Sequence, residues 1–278
     1  MGNLKACLTV AALALAACGS DHAAPDAAVV IHDSPVDTKP IDAAPDAPPD
    51  APAYDFSCFG MPNPTTASDP ITIAGTTDSL GQNGINPLAG VTVDIYKTGV
   101  VAPLDTQTSD AQGAFTSGNI VTGGVPFDGY VKGSLATYRT SYLYAPNPPT
   151  MSMTGVPVPM ITTQTFGLLS TAAGATQDDT NNGALLLTVT DCSNRPINGA
   201  TLSVKQGGTD VGTQFDLGQL ASQAAGITAV FNVPDGNTDV SATYMNMTFP
   251  THTIVAHKKP NGMGAVGTLT LTALRPGP

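Results

Sequence analysis

Glutamate and tryptophan are absent from all 278 residues, so the 21 acidic side chains are every one aspartate. Lys and Arg together number 10, and charged residues make up only 11% of the chain. Glu, Lys and Arg furnish the exposed faces of most helices, and their scarcity argues against a helical protein. The missing Glu also removes the bidentate carboxylate that closes a calcium loop. Asp178-Asp179-Thr180-Asn181-Asn182-Gly183 therefore reads as a polar turn entering a strand. A net charge of −11 leaves no electrostatic footprint for nucleic acid. No Gly-x-Ser-x-Gly elbow occurs, and no histidine is placed to serve a Ser or Cys nucleophile.

What is present begins with a leader. Lys5 precedes an apolar run from about Ala6 that closes on Leu15-Ala16-Ala17-Cys18. The run is too short to span a bilayer comfortably and has the plan of a secretion signal. With leucine three positions before the cysteine, it resembles a bacterial lipoprotein signal. That resemblance implies removal of residues 1–17 and acylation of Cys18, palmitate being one such chain, so that the partner is a membrane held through lipid. Gly19-Ser20, with no Asp after the cysteine, resembles the pattern that sends Gram-negative lipoproteins to the outer membrane, facing periplasm or surface. Loss of Lys5 makes the remaining chain more acidic still, so the lipid and not charge must do the anchoring.

Residues 18–53 read as a disordered Ala/Pro/Asp tether, with units such as Ala24-Pro25-Asp26 and Ala44-Pro45-Asp46. Such a segment lacks the apolar side chains that would offset ordering entropy. Proline extends it, and about 35 residues at ~3 Å each reach on the order of 100 Å. His22 and His32 lie in it as solvated side chains.

From Tyr54 the composition turns to Thr, Val, Gly and Pro, which suits short strands and tight turns. Strand-like alternation covers 71–76, 91–96, 104–108 and 138–144, with the turn Ser109-Asp110-Ala111-Gln112-Gly113 placing Phe115 at a core-facing strand start. Pro87-Leu88-Ala89-Gly90-Val91-Thr92-Val93, then Asp110-Ala111-Gln112-Gly113-Ala114-Phe115, then Gly129-Tyr130-Val131 resemble the carboxypeptidase regulatory-like domain. That family is a small prealbumin-like or Ig-like sandwich grouped with carbohydrate-binding-like folds. The resemblance covers about residues 70–145 and implies fold more than function.

Residues 161–173 break the alternation. Phe166, Leu169 and Ala173 share a helical face, Thr162 or Thr163 can cap it, and Gly174 stops it. Beyond this helix the opening of the first module recurs: Ala184–Asp191 as a strand, then Pro196–Val204. Ala229–Gly236 resembles the carboxypeptidase regulatory-like family's Pro-x-Gly turn before a strand, and further strands are expected over 239–247, 253–256 and 267–274, with a long loop over 207–226. Gly90 and Gly199 occupy matching places, pointing to internal duplication. The expected architecture is all-β: one sandwich over 54–160, a helical linker over 161–178 and a second sandwich over 179–278.

Cys7 leaves with the signal and Cys18 takes lipid, so Cys58 and Cys192 remain as an expected disulfide in an oxidising compartment. Such a bridge would pin the N-terminal segment against the second module. His252 and His257 are five apart on a strand, which points their rings to opposite faces and away from a shared metal. Intradiol dioxygenases use a related sandwich, but their closely spaced histidine motif is missing. Tyr138, Tyr142 and Tyr144 fall on one strand face, either as a sugar-binding platform or as core filling. The expectation is a non-enzymatic envelope lipoprotein, without cofactor or metal, that binds, adheres or supports. The partner is an envelope polysaccharide or protein. The alternatives are a carbohydrate-binding module on those tyrosines and, from another class, a hydrolase or an enzyme accessory subunit.

Overall fold

The computed structural model describes residues 54–278 apart from 82, 83, 221–223 and 263. The leader, Cys18 and the tether lie outside the described residues. In chain order the strands are β1 (Ile73–Gly81), β2 (Gly84–Pro87), β3 (Thr92–Lys97), β4 (Asp105–Thr108), β5 (Ala114–Thr116), β6 (Gly129–Ser134), β7 (Thr140–Tyr144) and β8 (Met153–Ile161). Helix α1 (Thr163–Ala172) follows, then β9 (Asn182–Val189), β10 (Thr201–Gln206), β11 (Thr209–Asp210), β12 (Thr213–Asp216) and β13 (Ile227–Pro234). The chain closes with β14 (Gly236–Tyr244), β15 (Met247–Thr248), β16 (His252–Ala256) and β17 (Thr268–Leu274).

Helix α1 forms where its caps require. The Thr162 hydroxyl accepts from the Thr165 amide at 3.0 Å, Gly174 leaves at φ +65°, and Phe166 and Leu169 are buried. Strands β2, β8, β11 and β12 were not anticipated from sequence. β8 contains Pro157 and Pro159, which weigh against a strand reading. The expected loop over 207–226 holds β11, β12 and a short 3-10 turn, Leu217–Gln219.

Two sandwiches follow one strand plan. In the first, β1 pairs β5 antiparallel and β8 parallel; in the second, β9 pairs β13 antiparallel and β17 parallel. The facing layers match too: β3 pairs β4 and β6, and β6 pairs β7, while β10 pairs β11 and β14, and β14 pairs β16. Gly90 and Gly199 turn the chain into β3 and β10, both at φ +76°. That backbone region is open to glycine at little cost.

The sandwiches are nonetheless not separate beads. β7 of the first pairs in parallel with β17 of the second, Thr140–Leu143 alongside Thr268–Leu271. One layer of each sandwich thereby joins into an eight-stranded sheet, β12-β13-β9-β17-β7-β6-β3-β4. Registers place Tyr142, Thr270 and Leu185 on one face of it, and Leu143, Leu271 and Leu186 on the other. On the Leu143 face, β1 and β8 cover the first half, enclosing Ile73, Val93, Ile95, Val131 and Val158. On the opposite face, β10, β14 and β16 cover the second half over Leu185, Leu187, Val204, Val240 and Ile254. α1 then covers the second half of the Leu271 face with Phe166 and Leu169 against Phe231 and Leu271. The two outer layers thus lie on opposite faces of one shared sheet.

The seam is tied at both ends. At one, Arg139, 1% exposed, holds Asp179 through both terminal nitrogens (2.9 and 2.5 Å), donates to the Thr268 carbonyl, and stacks 3.8 Å from the Phe166 ring centre. Gly267 leaves room for that guanidinium, which any Cβ there would strike. At the other end Cys58 and Cys192 form the expected disulfide, across 134 residues of sequence. Tyr54 and Phe56 pack on the second core beside Tyr244 and Phe249, so the N-terminal segment is pinned to the second sandwich.

Candidate functional site

On the Tyr142 face, the half of the shared sheet formed by β7, β6, β3 and β4, which the second sandwich covers only at β7, carries an aromatic row. Register sets Tyr96 beside Tyr130 and Tyr130 beside Tyr144. Ring centres are 5.1 Å apart in both contacts, stacked in the first and tilted in the second. One step along the strands, Asp94, Lys132 and Tyr142 stand side by side. Lys132 Nζ lies 3.4 Å from Asp94 Oδ2 and 5.8 Å from the Tyr96 ring centre. His257, just past the end of β16, stacks on Tyr142 at 3.8 Å.

Burial divides this row. Tyr142 and Tyr144 are 9% and 8% exposed and belong to the second sandwich's core, whereas Tyr96 and Tyr130 are half-buried. Burial, with Tyr130 and Tyr96 nearby, pushes the Tyr142 phenol up to about 12. Burial also pushes Tyr144 up; the Val255 backbone opposes this but makes no hydrogen bond of acceptable geometry with the hydroxyl. Burial drops His257 to about 4, with Lys132 acting in the same sense and Asp235 against it. All three groups are therefore neutral near pH 7. They offer ring faces and hydrogen-bonding edges rather than proton transfer. The Tyr144 hydroxyl and His257 Nε2 are buried with no protein partner.

The three tyrosines, read from sequence as one strand face serving either as a platform or as core filling, do not stay together. The chain reaches φ +70° at Thr137, and β7 begins only at Thr140, so the alternation does not run back to Tyr138. Tyr138 packs instead on the first core and places its hydroxyl 3.1 Å from that of Ser79. Tyr96 and Tyr130 take its place in the row. The signal for Tyr96 was the alternation Val93-Asp94-Ile95-Tyr96, which puts Tyr96 opposite the core-facing Val93 and Ile95. Its partner strand was not readable.

On the other face of the seam lies an apolar cleft of about 280 Å³. Leu143, Leu186, Leu271 and Ile227 form its floor, and Met153, Val156 and Pro157 of β8 its wall. Asn194 and Arg275 stand at one end. Arg275 donates to the Cys192 carbonyl at 2.8 Å, and burial lowers its pKa. Asp191, whose side chain is buried, is pushed up by burial. Backbone hydrogen bonds from Asp55 and Arg195 and the Arg195 side chain together outweigh this and hold it below the usual carboxylate range. Among the described residues no group of three or more His, Cys or Asp is gathered to hold a metal. His252 and His257 stand at opposite ends of β16.

No family model and no curated protein matches the chain. Among solved structures, the Bacillus anthracis TIE protein is 13% identical over 74% of this chain at a TM-score of 0.24, and this chain spans about a third (34%) of it. The shaft pilin spaA from Lactobacillus rhamnosus GG, in a mutant form, is 10% identical over 77% of this chain and 99% of its own at 0.23. A Streptococcal ancillary pilin is 11% identical over 76% of this chain and 63% of its own at 0.24. Scores of this size carry no functional comparison. The class defined by the strand pairings is an all-β, Ig-like tandem sandwich with a shared sheet. No helix among the described residues is long and apolar enough to cross a membrane.

Proposed function

We propose that this chain is a non-enzymatic lipoprotein of the cell envelope, anchored through Cys18 at the Gram-negative outer membrane, whose two-sandwich body serves as a stiff display or support element. The observation that supports this most is the β7–β17 pairing, locked by the Arg139–Asp179 clasp and the Cys58–Cys192 bridge. Two modules joined by a linker alone would swivel. Two modules sharing a sheet transmit force and hold a fixed spacing. The disulfide fits an exported protein, since such bridges persist in oxidising compartments. The test is fractionation of cells expressing the full chain, with detergent partitioning. The wild type should enter the detergent phase with the outer membrane, and Cys18→Ser exported behind an ordinary cleavable signal in place of residues 1–17 should become aqueous. Identical partitioning of the two would sink the lipoprotein reading.

A second reading is sugar binding, now on Tyr96 and Tyr130 rather than Tyr138. The favouring observation is the row of ring faces flanked by Lys132 and Asp94, since rings pack on sugar C–H faces and polar edges take hydroxyls. Retention of the protein on envelope polysaccharide, lost in Tyr96→Ala, is the expected result. Equal retention of the variant would end it.

A further inference from the structure

The six most exposed large apolar side chains among the described residues are Val101 (95%), Val121 (74%), Met245 (73%), Met151 (65%), Met61 (57%) and Val125 (52%). All six fall at one end of the molecule. β7, β17 and β9 run parallel, so Tyr144, Leu274 and Val189 mark that end. Val101 lies in the β3–β4 loop after Lys97, which pairs with Gly129 beside the Tyr130–Tyr144 step. Val121 and Val125 lie in the loop before β6, and Met151 in the loop before β8. The Ala67 and Ser68 amides bind the Gly124 and Thr150 carbonyls and draw these loops together at the start of β1. Met61 follows Cys58, whose disulfide partner Cys192 sits just beyond β9. Met245 follows Tyr244, whose ring meets Tyr54 at 5.6 Å, and the Tyr54 hydroxyl accepts from Asn198 just past Val189. The most exposed apolar side chain of the other end, Leu168 on α1, is 49% exposed.

From this one-sided distribution we infer that the end carrying Val101, Val121, Met151 and Met245 rests on a lipid bilayer, its loop tips entering the interfacial zone. Tyr54, the first described residue after the tether, packs at this end, and a tether of that reach lets the body turn this end toward the membrane that the expected anchor at Cys18 enters. The tips stand on separate loops of both sandwiches. A fluid apolar phase accepts scattered tips, whereas a folded partner would need a matched relief. Charge plays little part: Lys97, Arg195 and Arg275 at this end are outnumbered by aspartates such as Asp55, Asp69, Asp105 and Asp128. Recognition is by apolar insertion, and it favours neutral over anionic lipid.

The choice of bilayer rests on the lipoprotein reading, so the test removes the lipid. Protein of residues 18–278 carrying Cys18→Ser, and so without the apolar leader, is sedimented with phosphatidylcholine vesicles, and with vesicles that also contain phosphatidylglycerol. It should sediment with both, at least as well with the first, and with little salt dependence. Val101→Asp with Val121→Asp should weaken binding by at least tenfold, since burying each valine contributes about a factor of ten. Met151→Ser should weaken it less, and Leu168→Asp at the far end should leave it unchanged. The substituted sites are exposed, and unchanged unfolding transitions would verify the fold. Absence of sedimentation, or binding equal in the double Asp variant and in Leu168→Asp, would overturn the inference. Because no acyl chain is present, either result leaves the lipidation of Cys18 to its own experiment.

Discussion

β8 and β17 occupy the same slot, each the parallel neighbour of its sandwich's first strand, and they meet opposite fates. β17, Thr-Leu-Thr-Leu-Thr-Ala-Leu, is buried at every position and paired on both sides, to β9 and to β7. β8 pairs only with β1. Its Pro159 carbonyl accepts from the Ser141 hydroxyl at 2.7 Å and its Ile161 carbonyl from the Arg139 amide at 2.8 Å, so residues 157, 159 and 161 point away from β1. Pro157 and Pro159 therefore remove N–H donors from the outer edge and leave it unable to template another strand. Equivalent topology yields a joined edge in one sandwich and a closed edge in the other. The prolines and the two bonds from Ser141 and Arg139 together set β8 apart from β17.

Four experiments break or sharpen that comparison. The largest effect belongs to the covalent tie of the joined side. Cys58→Ser with Cys192→Ser should lower unfolding stability by about 4–5 kcal/mol, as expected for a long closed loop. Urea unfolding of oxidised wild type against the double variant measures it, and a loss near zero would mean that the bridge adds nothing to the seam. Next is the clasp. Asp179→Ala leaves the buried Arg139 uncompensated and should cost about 3–5 kcal/mol by the same measurement. A cost below ~1 kcal/mol would show that the Thr268 carbonyl and the Phe166 ring suffice to hold Arg139.

The third concerns His257, which sits on the Tyr142 side of the seam. Its folded pKa of about 4 lies below the ordinary 6.5, so the unfolded chain takes up the proton first as pH falls. Stability is full above pH 6.5 and declines between 6.5 and about 4, by up to ~3 kcal/mol. His257→Phe, which keeps a ring against Tyr142, should flatten that slope in unfolding midpoints followed against pH. An unchanged slope would assign the decline to other groups. The smallest effect is on the closed edge. Pro157→Val with Pro159→Val restores two outward N–H groups and should change monomer stability by less than ~1 kcal/mol while producing concentration-dependent association in light scattering. A strictly monomeric variant would show that the prolines are not what closes β8.

Much of the fold was legible along the chain. Alternation located β1, β3, β4, β7, β9 and β17 to within a few residues, and Thr162 and Gly174 framed α1. β8 escaped because proline within an alternating run counts against a strand, although at an edge it is what an unpaired strand tolerates. The candidate site was legible only in part. Tyr142 and Tyr144 do share a face, but that face lies at the seam, where the second sandwich buries both. Tyr138 was misplaced because strand periodicity says nothing across a residue such as Thr137, whose backbone leaves the extended region.

The sequence by itself determined most of the long strands, the helix caps, the repeated plan and the cysteine pair, because each follows from residue spacing within a short window or from elimination among few candidates. Only the tertiary structure decided that β7 joins β17, that two outer layers lie on opposite faces of one sheet, and that the most exposed apolar tips gather at the end where the chain enters. Those outcomes depend on pairings between residues more than a hundred positions apart. Hydrogen bonds between backbones and the burial of whole faces select such pairings, and neither leaves a periodic mark in the sequence.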